Sequence, residues 1–212
     1  MAIIELKHVA YQVKNKHILQ NVSFTVQKND FLTLVGPSGA GKSTILKLIA
    51  NLMNPSAGEI RYHNKNINEF DPIAYRRQVS YCFQQPSLFG KTVKDNLLFP
   101  YQIRKKEADQ NHLVDLLNRV DLENDFLDKE ITALSGGEKQ RIALIRNLVF
   151  LPEVLLLDEV TTGLDENSKA IVHQLIKAVH EQGITIIQVT HDQSEIKTAN
   201  NIVQIKKGGV QL

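Results

Sequence analysis

Apolar and polar positions follow several different periods along this chain. Near its start, residues 3–9, 22–26 and 31–35 are rich in β-branched and apolar side chains and are separated by polar clusters, as short strands are. From residue 36 a Gly-rich turn leads into helical spacing. Ile45, Leu46, Leu48 and Ile49 fall on one face of a helix beginning near Lys42. Short strands return over 59–83, with a helical turn at 72–76. Leu113, Leu116, Leu117 and Val120 keep the i, i+3, i+4, i+7 rule and predict an amphipathic helix over 105–121. A second helix is expected after Ser135. The last part predicts strands at 153–158, 184–190 and 202–206, with helices at 166–182 and 192–199 between them. The apolar runs 154–157 and 184–189 do not alternate, which suits parallel strands covered on both faces. The expected architecture is one α/β domain over 1–212. Its core, with an N-terminal β subdomain, takes 1–84 and 146–212, and a mostly helical subdomain, 85–145, is inserted.

Composition narrows the function classes. The 212 residues carry 25 Lys plus Arg against 23 Asp plus Glu, a net charge of only +2. A generic nucleic-acid-binding surface shows a stronger basic excess, so no nucleic-acid partner is expected. One cysteine, Cys82, excludes an intramolecular disulfide framework and fits a reducing compartment. No apolar run approaches the roughly 20 residues that span a bilayer, and the first ten residues lack a secretory pattern. A cytoplasmic protein is expected, and any membrane role would need a partner.

The most informative segment is GPSGAGKST, comprising Gly36, Pro37, Ser38, Gly39, Ala40, Gly41, Lys42, Ser43 and Thr44. It satisfies G-x-x-x-x-G-K-[ST] between a predicted strand and a predicted helix, the context that phosphate-binding turn requires. Glycines let the backbone curl so that N–H groups point at phosphate, and the helix N-terminus adds a favourable dipole. Lys42 would neutralise the β- and γ-phosphates and Ser43 would ligate Mg²⁺. A Gly-rich turn that binds nothing would need neither side chain. The motif alone says only that the chain binds a nucleoside triphosphate.

A second signal is VLLLDE at 154–159. Asp158 falls at the carboxyl end of an apolar strand, where α/β ligands sit, and would hold Mg²⁺ directly or through water. Glu159 could act as general base on the attacking water. Without the phosphate-binding turn, a capping aspartate and a solvated glutamate would be the simpler reading. A third signal is LSGGEKQR at 134–141. Ser135 and Glu138 form a capping box by spacing. A capping box needs no paired glycines, however, and Gly136 and Gly137 weaken a helix. They make sense where backbone approaches a ligand closely, at a second anion-binding helix N-terminus.

LSGGEKQR resembles the signature motif of the ATP-binding cassette (ABC) ATPases. The family's other motifs follow in its order: Gln84 in YCFQQP, Asp165 in TTGLD and His191 in VTHD. The resemblance covers nearly the whole chain and implies a P-loop NTPase fold with a RecA-like core. It implies ATP and Mg²⁺ as ligands and ATP hydrolysis as the activity. In that family two cassettes pack head to tail, each ATP lying between the phosphate-binding turn of one and the signature helix of the other. A homodimer is therefore implied, with Ser135, Gly136 and Gly137 completing the partner's site and Asp165 touching the partner's turn. Gln84 would contact Mg²⁺ or the attacking water, and His191 would contact the γ-phosphate. Tyr11 is the candidate for stacking on adenine, although many members carry the aromatic two positions on, where this chain has Val13.

Other departures are Val160 where Pro is common, Thr162 and Gly163 before Leu164, and Lys28-Asn29-Asp30 before the third strand. None touches a phosphate-contacting position. The stretches 76–106 and 145–169 are most similar to the ATPase subunits of Fet-type iron exporters. That resemblance implies an integral membrane permease as partner, a peripheral place on the cytoplasmic face of the membrane, and a metal ion such as iron as exported cargo. Another small solute, or a soluble ABC ATPase acting on ribosomes or DNA, is the alternative. The soluble class usually carries two cassettes, coiled-coil insertions or basic extensions. A P-loop kinase or GTPase would leave LSGGE and His191 unexplained.

Overall fold

Two sheets organise the first of two compact units. The computed structural model describes residues 1–206 and 208–211, so residues 207 and 212 of the expected domain lie outside the described residues. The first unit comprises Met1–Tyr81, Pro152–Glu159 and Gly183–Leu212. Strands β1 (Ala2–Val13) and β2 (Lys16–Gln27) form a long hairpin, joined by β4 (Ala57–Tyr62) and β5 (Lys65–Asn66) in an antiparallel sheet ordered β2-β1-β4-β5. Both hairpin strands run well past the expected 3–9 and 22–26. Their register shifts between Leu6 and Val9, and His8 and Asn21 have positive φ. Such irregularities break the alternation on which the boundaries were read.

The other sheet has the order β10-β9-β3-β8-β7-β6. It contains β3 (Phe31–Val35), β6 (Val79–Cys82), β7 (Val154–Asp158), β8 (Thr185–Val189), β9 (Asn201–Lys206) and β10 (Gly209–Gln211). β3 pairs in parallel with β8 and β9, β7 pairs in parallel with β8, and β10 returns antiparallel on β9. Every residue of β7 and of β8 is buried, which is why those runs carry no alternation. α1 (Lys42–Ile49) follows β3, α2 (Pro72–Gln78) precedes β6 and α7 (Gln193–Thr198) follows β8. Leu32, Leu34, Leu46, Leu156 and Ile187 belong to one core with the hairpin residues Ile4 and Leu6. Glu153, just before β7, ties that core to the antiparallel sheet by accepting from the Tyr62 hydroxyl at 2.9 Å and His63 Nε2 at 2.7 Å. Burial alone would raise its carboxyl, but those two hydrogen bonds outweigh it and hold the group below its usual range.

The second unit comprises Cys82–Leu151 and Val160–Gln182. It holds α3 (Val93–Gln102), α4 (Gln110–Asn118), α5 (Gly136–Leu148) and α6 (Glu166–Glu181). α3, α4 and α6 each bury an apolar face, and α6 clusters with these helices although the sequence reading assigned 166–182 to the core. α4 begins at Gln110, five residues after the expected start. Asp109 caps it by accepting from the N–H groups of Asn111 and His112. α3 starts on a full capping box of Thr92 and Asp95 and tolerates Pro100 inside it. Burial pushes the Cys82 thiol up to about 12, which leaves it protonated and unreactive at neutral pH. Among the described residues no helix is long and apolar enough to cross a membrane.

Candidate functional site

The turn after β3 begins with a glycine that the fold itself requires. At Gly36 a Cβ would lie 2.1 Å from the Ile205 carbonyl oxygen of β9, so no side chain fits there. Gly39 and Gly41 have φ of +76° and +95°, which L side chains rarely adopt. Gly39 has open space around it, as a turn that wraps a ligand needs. Gly41 packs on Leu19 and Ile18 of β2. Pro37, Ser38 and Gly39 are exposed, Ala40 is buried, and Ser43 and Thr44 are half-buried at the helix start.

α1 differs from the other helices at its N-terminus. Asp71, Thr92, Asp109, Ser135, Asp165 and Asp192 each cap α2 to α7 with a side-chain oxygen. Among the described residues α1 alone has no side-chain cap, and its first turn carries no acidic residue. Its leading N–H groups and dipole therefore remain available to an anion.

Lys42 stands over this turn and is almost fully buried. Its ammonium donates to the carbonyl oxygens of Gly36 at 2.8 Å and Pro37 at 3.1 Å, and lies 3.1 Å from His191 Nε2. Desolvation lowers its pKa, against the opposing pull of Glu159 and Asp158. A phosphate brought here meets a cation already short of solvent.

The parallel register of β7 with β8 carries the acidic pair to the same end of the sheet. Asp158 pairs with Val189, and the Glu159 N–H donates to the Val189 carbonyl at 3.0 Å. The Ser43 hydroxyl donates to Asp158 Oδ1 at 2.7 Å, and the Tyr81 hydroxyl donates to Oδ2 at 2.5 Å. Glu159 has φ of +50°, an uncommon backbone state for a non-glycine residue. His191, two residues past Val189, places Nε2 3.1 Å from Glu159 Oε1. That nitrogen faces both Lys42 and Glu159. It can accept from the ammonium or donate to the carboxylate, so its tautomer follows what occupies the site.

The residue types suit a magnesium ion. Ser43 Oγ and Asp158 Oδ1 are hard oxygen donors, and adjacent ligands of an octahedron with bonds of ~2.1 Å lie about 3.0 Å apart. Their separation of 2.7 Å is close to that edge. Mg²⁺ binds through one or two carboxylates plus substrate phosphates, so no larger acidic cluster is needed.

The remaining candidates lie in the second unit or away from the turn. Gln84 is exposed in the segment after β6. Ser135 caps α5 in a complete box: its hydroxyl accepts from the Glu138 N–H at 3.2 Å, and Glu138 accepts from the Ser135 N–H at 2.7 Å. Asp165 caps α6, accepting from the Ser168 N–H at 2.9 Å. Tyr11 sits on β1 opposite Leu19 and packs, half-buried, against the core of the first unit.

The two signature glycines separate. At Gly137 a Cβ would meet Ser168 Oγ at 2.6 Å, with Asp165 Oδ2 at 3.6 Å, so packing on the start of α6 accounts for it. Gly136 has nothing within 4 Å of its Cβ position and an ordinary φ, so intramolecular packing does not account for it. Gly137→Ala is expected to cost about 1–3 kcal/mol of stability through overpacking. Gly136→Ala is expected to leave stability unchanged or slightly raised while ATP turnover falls. Thermal unfolding and phosphate release, measured on both variants, check this pair.

Sequence reading missed Tyr81, which touches Asp158 from 77 positions away, and Ser168. Both contacts are long-range; Tyr81 opens the quoted YCFQQP segment without being singled out there, and Ser168 lies outside the quoted motifs.

An uncapped helix start, a buried lysine over a glycine turn and a strand-end acidic pair on a mostly parallel sheet define a P-loop nucleotide-binding ATPase. The family model for ABC transporters matches residues 19–162, and the chain belongs to that family. Its fold is that of the ATP-binding cassette, with antiparallel and parallel sheets and a helical part, and it is an ATPase. The chain is 45% identical over 205 residues to the probable iron export ATP-binding protein FetA of Escherichia coli (strain K12), covering 96% of this chain and 91% of that one. It is 39% identical over 214 residues to the spermidine/putrescine import ATP-binding protein PotA of Clostridium novyi (strain NT), covering 99% of this chain but 61% of that one. The dimeric post-hydrolysis structure of the ATP-binding cassette MJ0796, bound to ADP and Pi, superposes with a TM-score of 0.88 at 29% identity over 99% of this chain and 97% of that one.

Proposed function

We propose that two copies of this chain close around two ATP molecules and drive a separate membrane permease, exporting a metal ion such as iron from the cytoplasmic face of the membrane. The observation that carries the cargo reading is the 45% identity to FetA, which extends over 91% of that protein. The likeness to PotA covers 61% of its length and supports the same ATPase step with import of another solute as the second reading.

In this reading each site residue has a part. Lys42 and the N–H groups at the start of α1 hold the β- and γ-phosphates. Ser43, Asp158 and Gln84 would hold Mg²⁺, which would supply charge neutralisation at the phosphates. Glu159 takes a proton from the attacking water. His191 leaves Glu159 and Lys42 for the γ-phosphate. Ser135 and Gly136 of the second copy close the site, and Asp165 lies against the partner's turn. Tyr11 stacks on adenine. In the second unit Phe89 and Phe99 stack edge to face at 4.8 Å and are 40% and 39% exposed, a surface suited to an apolar permease helix.

The test is capture. Tagged Glu159→Gln protein is expressed in its native cell, and the membranes are solubilised with ATP and Mg²⁺. A polytopic membrane protein is expected to co-purify. Disrupting the chain is then expected to raise cell iron and iron sensitivity and leave polyamine uptake unchanged. Recovery of ribosomal or DNA-repair proteins in place of a permease would overturn the transporter reading. Lost polyamine uptake with normal iron would move the cargo to the second reading.

A further inference from the structure

Tyr81 has no part in the scheme above, yet it makes one of the closest contacts in the candidate site. It lies on β6 with 8% of its surface exposed, and Asp158 is 4% exposed. Its hydroxyl donates to Asp158 Oδ2 at 2.5 Å while the Ser43 hydroxyl donates to Oδ1 at 2.7 Å. Both carboxylate oxygens are therefore engaged, each by a different donor.

We propose that Tyr81 is a positioning residue for the magnesium site. The last torsion of an aspartate is broad and nearly two-fold, so a carboxylate held at one oxygen can still swing. The phenol on β6 anchors Oδ2 from within the sheet and keeps Oδ1 turned to Ser43, where the metal binds. Tyr81 itself does not contact the metal or the nucleotide. Partners that orient ligands in this way commonly alter metal affinity by 10-fold or more when removed. The inference rests on Ser43 and Asp158 being the magnesium-binding pair.

Tyr81→Phe removes the hydroxyl and keeps the ring. Tyr81→Met is made beside it, so that a donor-free protein is in hand if one variant fails to fold. Mn²⁺ binding in the presence of a non-hydrolysable ATP analogue is followed by electron paramagnetic resonance, and analogue binding is measured separately without metal. Mn²⁺ affinity is expected to fall about 10-fold, with metal-free analogue binding within a factor of about two of wild type. Val79→Ala, at a buried position on the same strand, reports general weakening of β6 and is expected to leave Mn²⁺ affinity unchanged.

Wild-type Mn²⁺ affinity in the Tyr81 variants would overturn the inference. An equal loss in Val79→Ala would overturn it too, by assigning the effect to strand stability. If Asp158→Asn and Ser43→Ala both kept wild-type Mn²⁺ affinity, the metal pair itself would be wrong, and the inference would fall with it. That result is distinct from a failure of Tyr81 alone.

Discussion

Glu159→Gln is expected to bind ATP with near-normal affinity and to hydrolyse it at least 100-fold more slowly, within the range that loss of a general base produces. Gln has nearly the shape of Glu, so the backbone hydrogen bond from residue 159 to Val189 survives. What disappears is the proton acceptor, together with the negative charge 3.1 Å from His191. With hydrolysis blocked, ATP stays bound and the protein is expected to collect as dimers in its presence. Steady-state phosphate release measures the first effect and light scattering with and without ATP measures the second. Turnover within a few-fold of wild type would remove Glu159 from the role of base.

Lys42→Ala is expected to weaken ATP binding by about 10- to 100-fold or more, the loss of one or more hydrogen bonds to a charged group. The ammonium donates to two carbonyls of the turn and lies by His191. Those carbonyls border the exposed residues Pro37 and Ser38, so water can replace the lost donor and the fold should persist. The readout is the melting temperature with and without ATP. Ligand-free melting is expected within a few degrees of wild type, while the rise produced by ATP, which follows its affinity, should largely vanish. A full ATP-induced rise in the variant would show that phosphate is held elsewhere. Tyr81→Phe perturbs the same neighbourhood differently. It acts on metal binding and leaves metal-free nucleotide binding intact, so the two variants separate charge neutralisation from ligand positioning.

Much of the site is legible residue by residue because its chemistry is local. Gly36 to Ser43 form one turn, and Asp158 and Glu159 end one apolar strand. Ser135 with Glu138 is a contact three residues apart that spacing reveals. Strand β7 announces itself because a fully buried strand needs no polar face. The hairpin ends and the start of α4 were less legible. Bulges at His8 and Asn21 reset the alternation, and a capping aspartate at 109 overrides the helical spacing of the residues before it. For α3 the signal was present in Thr92 and Asp95 and went unread.

Local order in the chain was thus enough to specify the phosphate-binding turn, Ser43 and Asp158 as candidate oxygen donors, several helix caps and the α/β class. Propensity, capping and burial act between residues a few positions apart. Tertiary structure alone decided which groups share a proton or a carboxylate. His191 reaches Lys42 across 149 positions, Ser43 reaches Asp158 across 115 and Tyr81 reaches it across 77. It also decided that Gly36 yields to the Ile205 carbonyl and Gly137 to Ser168, while Gly136 stands clear. Those outcomes depend on strand order and register in the sheet and on how α5 meets α6. Short hydrogen bonds and steric contacts decay within a few ångströms, so only the folded arrangement determines which partners are near enough to feel them.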